Sequence, residues 1–203
     1  MLHSASLNKN NLDDIFDCFA SQLEKNHYSN VINIYLVGGG AIMLNFDYRL
    51  STIDFDALYE NNKIVQEAIN NTAIKKNLPK DWLNQDFAST PSYSPKIIEL
   101  SVLRCSYRNL VFIYTLEPVY LIAMKLKSSR PTGGDLDDII KMIYELRLNG
   151  SDLTYRKVLD AYQTLYKDSS NTIPYFFEKA KLAFEAPEDE MNTVLGKLKG
   201  YDN

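Results

Sequence analysis

Residues 35 to 60, YLVGGGAIMLNFDYRLSTIDFDALYE, decide how this chain is read. A β-rich run, VINIYLV (31 to 37), meets Gly38, Gly39 and Gly40, and the short apolar stretch AIMLNF (41 to 46) follows as a buried helix. That order lets backbone N–H groups approach a phosphate, because no Cβ intervenes and a helix N-terminus favours negative charge. The run is neither GxGxxG nor GxxxxGK, so by itself the turn reads either as tight buried packing or as a phosphate site. TIDFDALY (52 to 59) then alternates as a strand, with Ile53, Phe55 and Ala57 on one face and Asp54 and Asp56 on the other. Two carboxylates at that spacing repel each other unless a divalent cation shares them or water surrounds them. Hard oxygen ligands suit Mg²⁺ or Mn²⁺ better than zinc. An exposed strand face is the plainer alternative.

Upstream, NLDDIFDCFASQLEKN (11 to 26) spaces Leu12, Ile15, Phe16, Phe19, Ala20 and Leu23 as one helical stripe, with Asp13, Asp14 and Asp17 near the end where the helix dipole favours acids. Downstream, NNKIVQEAINNTAIKKN (61 to 77) reads as a helix, LPKDWLNQDF (78 to 87) as a further helical turn and STPSYSP (89 to 95) as a loop. KIIELSVL (96 to 103) and NLVFIYTL (109 to 116) read as strands joined through RCSYR. From residue 117 the pattern is helical: EPVYLIAMKLKSS, DLDDIIKMIYELRL, LTYRKVLDAYQTLY and IPYFFEKAKLAF. PTGGD (131 to 135) is a turn ending on Asp135 as N-cap, and APEDE (186 to 190) is a joint. The expected class is α+β: a mixed-sheet core flanked by helices over residues 1 to 116, and a helical region over 117 to 203 packed against it.

Val37, Gly38 and Gly39, taken with Asp54 and Asp56, resemble the nucleotidyltransferase superfamily with a polymerase-beta-like core. Its pattern is a hydrophobic residue, a Gly-Gly or Gly-Ser turn opening a helix, and a strand bearing Asp-x-Asp. More narrowly, GGGAIML and RLSTIDFD resemble the bacterial branch that includes abortive-infection toxins of type IV toxin-antitoxin systems. Gly38, Gly39, Ala41 and Ile42 match its GGxAL motif; Arg49, Ser51, Thr52, Asp54 and Asp56 correspond to RxTxDxD, with Ser51 beside Thr52 giving Arg-Leu-Ser-Thr, so that either could take the place of the motif's threonine. YLIAMKLKSSRPTGGDLDDIIKMI (120 to 143) resembles that family's lysine-bearing helix, arginine and acidic helix start through Lys125, Arg130, Asp135 and Asp138.

The resemblance implies Asp54 and Asp56 as catalytic, metal-holding carboxylates. It implies Gly38, Gly39, Arg49, Ser51, Thr52, Lys125 and Arg130 as nucleotide or phosphate contacts, and Asp135 and Asp138 as further site members. A third carboxylate is expected on a neighbouring strand; Glu99 in KIIELSVL is the candidate, with a surface role as its alternative, and Asp86 is a weaker one. The chemistry agrees, since paired carboxylates can hold a divalent metal against a triphosphate during phosphoryl transfer. Each cation also has a plainer role, as a lysine on an apolar helix can run its stem out to solvent.

Composition bounds the rest. In 203 residues, 45% apolar and 24% charged usage excludes a wholly disordered, collagenous or long coiled-coil chain. Two cysteines, Cys18 and Cys105, and two histidines, His3 and His27, exclude a disulfide scaffold and a histidine-rich metal centre, so metal chemistry here is oxygen-ligated. The densest apolar stretch, 111 to 124, is broken by Glu117 and Pro118, so no membrane span is expected, and with no leader pattern a cytoplasmic address is the default. The net charge of −4 argues against broad nonspecific nucleic-acid binding; only residues 61 to 125, with eight basic and five acidic residues, are basic. Trp82 and most of the 14 tyrosines and 9 phenylalanines are read as core.

The expected function is a Mg²⁺-dependent (or Mn²⁺-dependent) nucleotidyltransferase that moves a nucleoside monophosphate from an NTP to a hydroxyl of RNA or protein. The toxin resemblance points to tRNA as acceptor and to an antitoxin partner. The alternative is a nonenzymatic member of the same fold that binds nucleotide or a partner protein. A helical interaction protein unrelated to nucleotides leaves the pattern over 38 to 56 unexplained.

Overall fold

Alternating apolar residues organise the first half of the chain. In the computed structural model, which describes residues 7–130, 132–167 and 173–199, Ile32, Ile34 and Leu36 are buried, and so are Val111 and Ile113 on the strand beside them. His3, and Pro131 at the head of the predicted PTGGD turn, lie outside the described residues. The chain divides into two units, Met1–Ala88 with Ile97–Leu116, and Ser89–Lys96 with Glu117–Asn203.

The first unit runs β1 (Leu7–Asn8), α1 (Leu12–Lys25), β2 (Ile32–Leu36), α2 (Gly38–Asn45), β3 (Ser51–Thr52), β4 (Phe55–Leu58), α3 (Lys63–Lys76), β5 (Leu83–Asn84), a 3₁₀ turn (Asp86–Ser89), α4 (Lys96–Leu100), β6 (Ser101–Tyr107) and β7 (Val111–Leu116). Among the described residues the main sheet has five strands in the order β5-β4-β2-β7-β6, and β1 pairs with β3 as a separate antiparallel ladder. β2 lies parallel to β7, from Ile32 opposite Val111 to Leu36 opposite Thr115. On its other side β2 is antiparallel to β4, with Leu36 opposite Ala57. β5 runs parallel to β4, and β6 antiparallel to β7. A mixed sheet flanked by helices is thus the architecture of this half.

All six predicted residues of the α1 stripe are buried. Phe16 and Phe19 pack against Trp82, with ring centroids 5.8 and 6.1 Å apart, and Phe16 lies 5.4 Å from Phe55. Trp82 is fully buried and donates its indole N–H to the Ile69 carbonyl at 3.1 Å. α3 starts where the Asn62 side chain accepts from Val65 N and ends at Asn77 in the left-handed conformation, two ordinary stop signals.

Several local expectations are corrected. KIIELSVL is not one strand: residues 96 to 100 form α4, because Ser94 Oγ accepts from Lys96 N and opens a helical turn that buries Ile97. RCSYR is not the connection either, since residues 104 to 107 belong to β6. The hairpin turns through residues 108 to 110, where Arg108 and Asn109 take left-handed φ values of 53° and 51° and Leu110 N donates to the Tyr107 carbonyl at 3.0 Å. Near Pro79 there is a single turn, closed by Trp82 N donating to the Pro79 carbonyl at 3.2 Å, and no α-helix; β5 then pairs with β4, Phe55 N donates to the Trp82 carbonyl at 2.7 Å, and the 3₁₀ turn starts at Asp86. Ile53, expected on the apolar face, is 85% exposed because it lies in the break between β3 and β4.

The second unit is helical: α5 (Pro118–Ser128), α6 (Asp135–Leu148), α7 (Tyr155–Leu165), α8 (Pro174–Glu185) and α9 (Glu188–Lys199). α5 packs on α6 and α7, and α6 on α8 and α9. Pro118 and Pro174 stand in first turns, where a missing N–H costs nothing. Ser94 Oγ donates to the Leu165 carbonyl at 2.8 Å, and Tyr166 OH to the Ser92 carbonyl, fastening the 89–96 loop to the end of α7. No helix among the described residues is long and apolar enough to cross a membrane.

Trp82→Ala should destabilise the first unit by about 3–5 kcal/mol, the usual cost of emptying a large aromatic site. Urea unfolding followed by circular dichroism checks this, since the substitution removes the sole tryptophan of the chain.

Candidate active site

The helix predicted after the glycines begins on them instead. Val37 is extended, Gly38 has φ +57°, and α2 runs from there. A positive φ at Gly38 would strain any residue with a Cβ, and a Cβ built there would also stand 2.9 Å from Asp56 Oδ2. The Asp56 carboxylate therefore rests directly on the first backbone turn of α2. Below it, Val37 N donates to the Asp56 carbonyl at 2.9 Å, which fixes the strand against the turn.

At Gly39 the neighbours are different. A Cβ there would meet Thr52 Oγ1 at 2.5 Å and Arg49 Nη2 at 2.8 Å. Arg49 and Thr52, named by the RxTxDxD resemblance, thus close on the same glycine from the adjoining segment. Thr52 Oγ1 also donates to the Asp54 carbonyl at 3.0 Å, shaping the short break that carries Asp54. Ser51, the alternative match beside Thr52, is exposed at the end of β3. Asp54 and Asp56 are both half-buried, a state that keeps carboxylates reachable by water or a cation.

Asn84 is the residue that sequence reasoning missed. It stands in register with Asp56 on the parallel neighbour β5, and its Nδ2 donates to Asp54 Oδ2 at 3.1 Å. The signal was a two-residue strand inside LNQDF, too short to show a period. Glu99, the expected third carboxylate, is exposed on α4 and not on a strand. Among the described residues no group of three or more His, Cys, Asp or Glu side chains is arranged to hold a metal ion.

The second unit gathers its own candidates. Lys125 Nζ contacts Asp135 Oδ1 at 2.7 Å and Asp138 Oδ2 at 2.9 Å. Arg130 donates to Asp135 three times, from its backbone N, Nε and Nη2, each at 3.1 Å. Asp135 is not an N-cap: Gly134 takes that place in a left-handed conformation and Asp135 is the first helical residue, its side chain fully buried. Burial would push the Asp135 carboxyl up, but the Arg130 hydrogen bonds and the Lys125 charge outweigh it and hold the group well below the ordinary carboxylate range. Arg130 keeps 65% of its side chain exposed, whereas Lys125 keeps 11%.

Because the folded value lies below the unfolded value of 3.8, the stability this carboxylate contributes is complete above that pH and is lost as pH falls through the folded value. Asp135→Asn should cost stability at pH 7 toward the lower end of about 3–5 kcal/mol, since Lys125 keeps Asp138. It should also flatten the fall in stability below pH 4, and denaturant titrations at pH 7 and across pH 2.5 to 4.5 check both.

The family described as nucleotidyltransferase of unknown function (DUF6036) matches residues 10–182. No curated protein and no solved structure matches the chain. With most of its length covered by that match, including the glycine turn, both aspartates and the Lys125–Asp135 clasp, the chain belongs to this nucleotidyltransferase family.

Proposed function

We propose that the protein transfers a nucleoside monophosphate from an NTP to a hydroxyl acceptor, using Asp54 and Asp56 to hold Mg²⁺ or Mn²⁺. One observation carries this reading: the Asp56 carboxylate sits against a Cβ-free helix start, so an anion at that turn and a cation on the carboxylate would be neighbours. The residues present fit such a cation, since two half-buried carboxylates supply hard oxygens and leave coordination positions for water and phosphate. When bound, the cation would polarise the phosphoryl group and offset charge on the departing pyrophosphate.

The chain's own groups then have separable tasks. The N–H groups of the first turn of α2, which a helix does not satisfy within itself, would favour the triphosphate. Thr52 holds the segment that carries Asp54, and Arg49, packed on Gly39, places positive charge beside the same turn. Lys125 and Arg130 belong to this reading as phosphate contacts, with Asp135 and Asp138 fixing their geometry. The acceptor, tRNA or protein, and an antitoxin partner rest on the resemblance of GGGAIML and RLSTIDFD to abortive-infection toxins.

A second reading, a nucleotide-binding member of the fold that has lost turnover, is favoured by one specific observation: the group that reaches Asp54 from the neighbouring strand is the neutral Asn84 amide, and among the described residues no third carboxylate joins the pair.

Asp54→Asn and Asp56→Asn separate the two. Removing partners that only orient a metal's ligands costs about 10–100-fold, so losing a ligand should reduce transfer by more than about a hundredfold while the fold persists. Incorporation from each labelled NTP into total RNA and into cellular protein, with Mg²⁺ and with Mn²⁺, measures this. Full activity in the double variant would remove the carboxylate mechanism. Metal-dependent NTP binding by wild type with no incorporation into either acceptor pool would favour the second reading. For the cations, Arg130→Ala should weaken ATP, CTP, GTP and UTP by similar factors; loss of one nucleotide alone would make Arg130 a base contact.

A further inference from the structure

The two strands that frame the aspartates run parallel, so Asn84 and Asp56, being in register, project to the same face of the sheet. The orientation of the Asn84 amide is fixed at both ends. Its Oδ1 accepts from Asp86 N at 3.0 Å, while its Nδ2 donates to Asp54 Oδ2 at 3.1 Å and to the Asp81 carbonyl at 3.3 Å. The end turned toward the Asp54 carboxylate is therefore the NH₂, which cannot ligate a cation.

Two consequences follow from that donor. It anchors Asp54, a half-buried side chain on an irregular segment, at one oxygen. It also leaves the cluster with two anionic ligands where a carboxylate at the same position would give three, and ligand charge count is a principal determinant of affinity for hard divalent cations.

We propose that Asn84 sets the cation affinity of the Asp54–Asp56 pair, so that a divalent cation binds appreciably only together with a triphosphate, whose oxygens supply the missing anionic ligands. The inference rests on the reading of that pair as the nucleotide-transfer site. It makes cation uptake conditional on substrate, and assigns the condition to one side chain.

The test measures binding and needs no turnover. Mn²⁺ is titrated into the full chain, uptake is read from loss of the free-ion electron paramagnetic resonance signal, and the series is repeated with a nonhydrolysable ATP analogue after correction for the Mn²⁺ that the analogue binds alone. Wild type without nucleotide should bind Mn²⁺ at least about tenfold more weakly than Asn84→Asp, and the analogue should raise wild-type affinity at least about tenfold. Adding Asp56→Asn to Asn84→Asp should abolish the gain with the circular dichroism spectrum unchanged, which ties the gain to this cluster.

Equal Mn²⁺ affinity of wild type and Asn84→Asp without nucleotide would overturn the proposal. Should Asn84→Asp fail to fold, Asn84→Ala decides: loss of the anchoring amide should lower analogue-dependent Mn²⁺ uptake about tenfold, and unchanged uptake overturns the proposal. Failure of the transfer reading looks different. There Asn84→Asp would gain Mn²⁺ affinity while wild type took up neither Mn²⁺ nor analogue when both were present, leaving Asn84 as the affinity determinant of a site without a nucleotide role.

Discussion

The close approach of the first turn of α2 to strand β4 is the constraint from which the first unit is built. Val37 N reaches the Asp56 carbonyl, and Gly38 and Gly39 leave room above it for Asp56 on one side and for Thr52 and Arg49 on the other. An ordinary side chain at either glycine would have to displace a polar group already in place. The same contact fixes β4 beside β2, and β4 in turn supplies Phe55 to the cluster of Phe16 and Trp82. Core packing and site geometry are thus set by one backbone approach. The carboxylates are positioned by main chain, whose conformational cost is met on folding, so little of it would remain to be met when a ligand binds.

What the sequence made legible follows from period and from residue type. Alternation over residues 31 to 37 and 52 to 59, with three glycines between, gave the central strands β2 and β4. The 3.6-residue stripe of α1 named its buried face residue by residue. Short elements failed for the opposite reason. β5 holds two residues, so it has no period, and its pairing is decided by Trp82, whose side chain enters the core while its carbonyl accepts from Phe55 N. Glu99 was placed on a strand because Ile97, Ile98, Leu100, Val102 and Leu103 look β-rich. Residues 96 to 100 are instead helical, with Lys96 N donating to Ser94 Oγ just before the first turn, and Ile98 and Glu99 are left exposed. A single side chain-to-backbone bond of that kind leaves almost no trace in composition.

The acidic start of α6 shows how a legible cluster can still be misassigned in detail. Asp135 before an apolar helix has the sequence signature of an N-cap, yet Gly134 turns the chain with φ +73° and Asp135 becomes a buried counter-ion. One carboxylate facing both Lys125 and Arg130 is tolerable in a buried place because charge and hydrogen bonds arrive from two directions. Asp138, one turn on, takes a second contact from Lys125. The arrangement holds α5 to α6 through opposite charges, and it leaves most of the Arg130 guanidinium at the surface.

The chemistry of the first unit turns on how much negative charge its cluster carries. Two carboxylates with an amide donor beside Asp54 repel each other less than three carboxylates would, which lowers the cost of keeping them half-buried. Their attraction for a lone divalent cation is reduced by the same amount. In the proposed site a triphosphate would reverse that balance, bringing its own anionic oxygens to a helix start that has Arg49 beside it. On the proposed reading, stability without metal and uptake of metal with substrate would both follow from an amide rather than an acid at Asn84, and turnover would then depend on what removes the proton from the acceptor hydroxyl, a task an amide cannot perform.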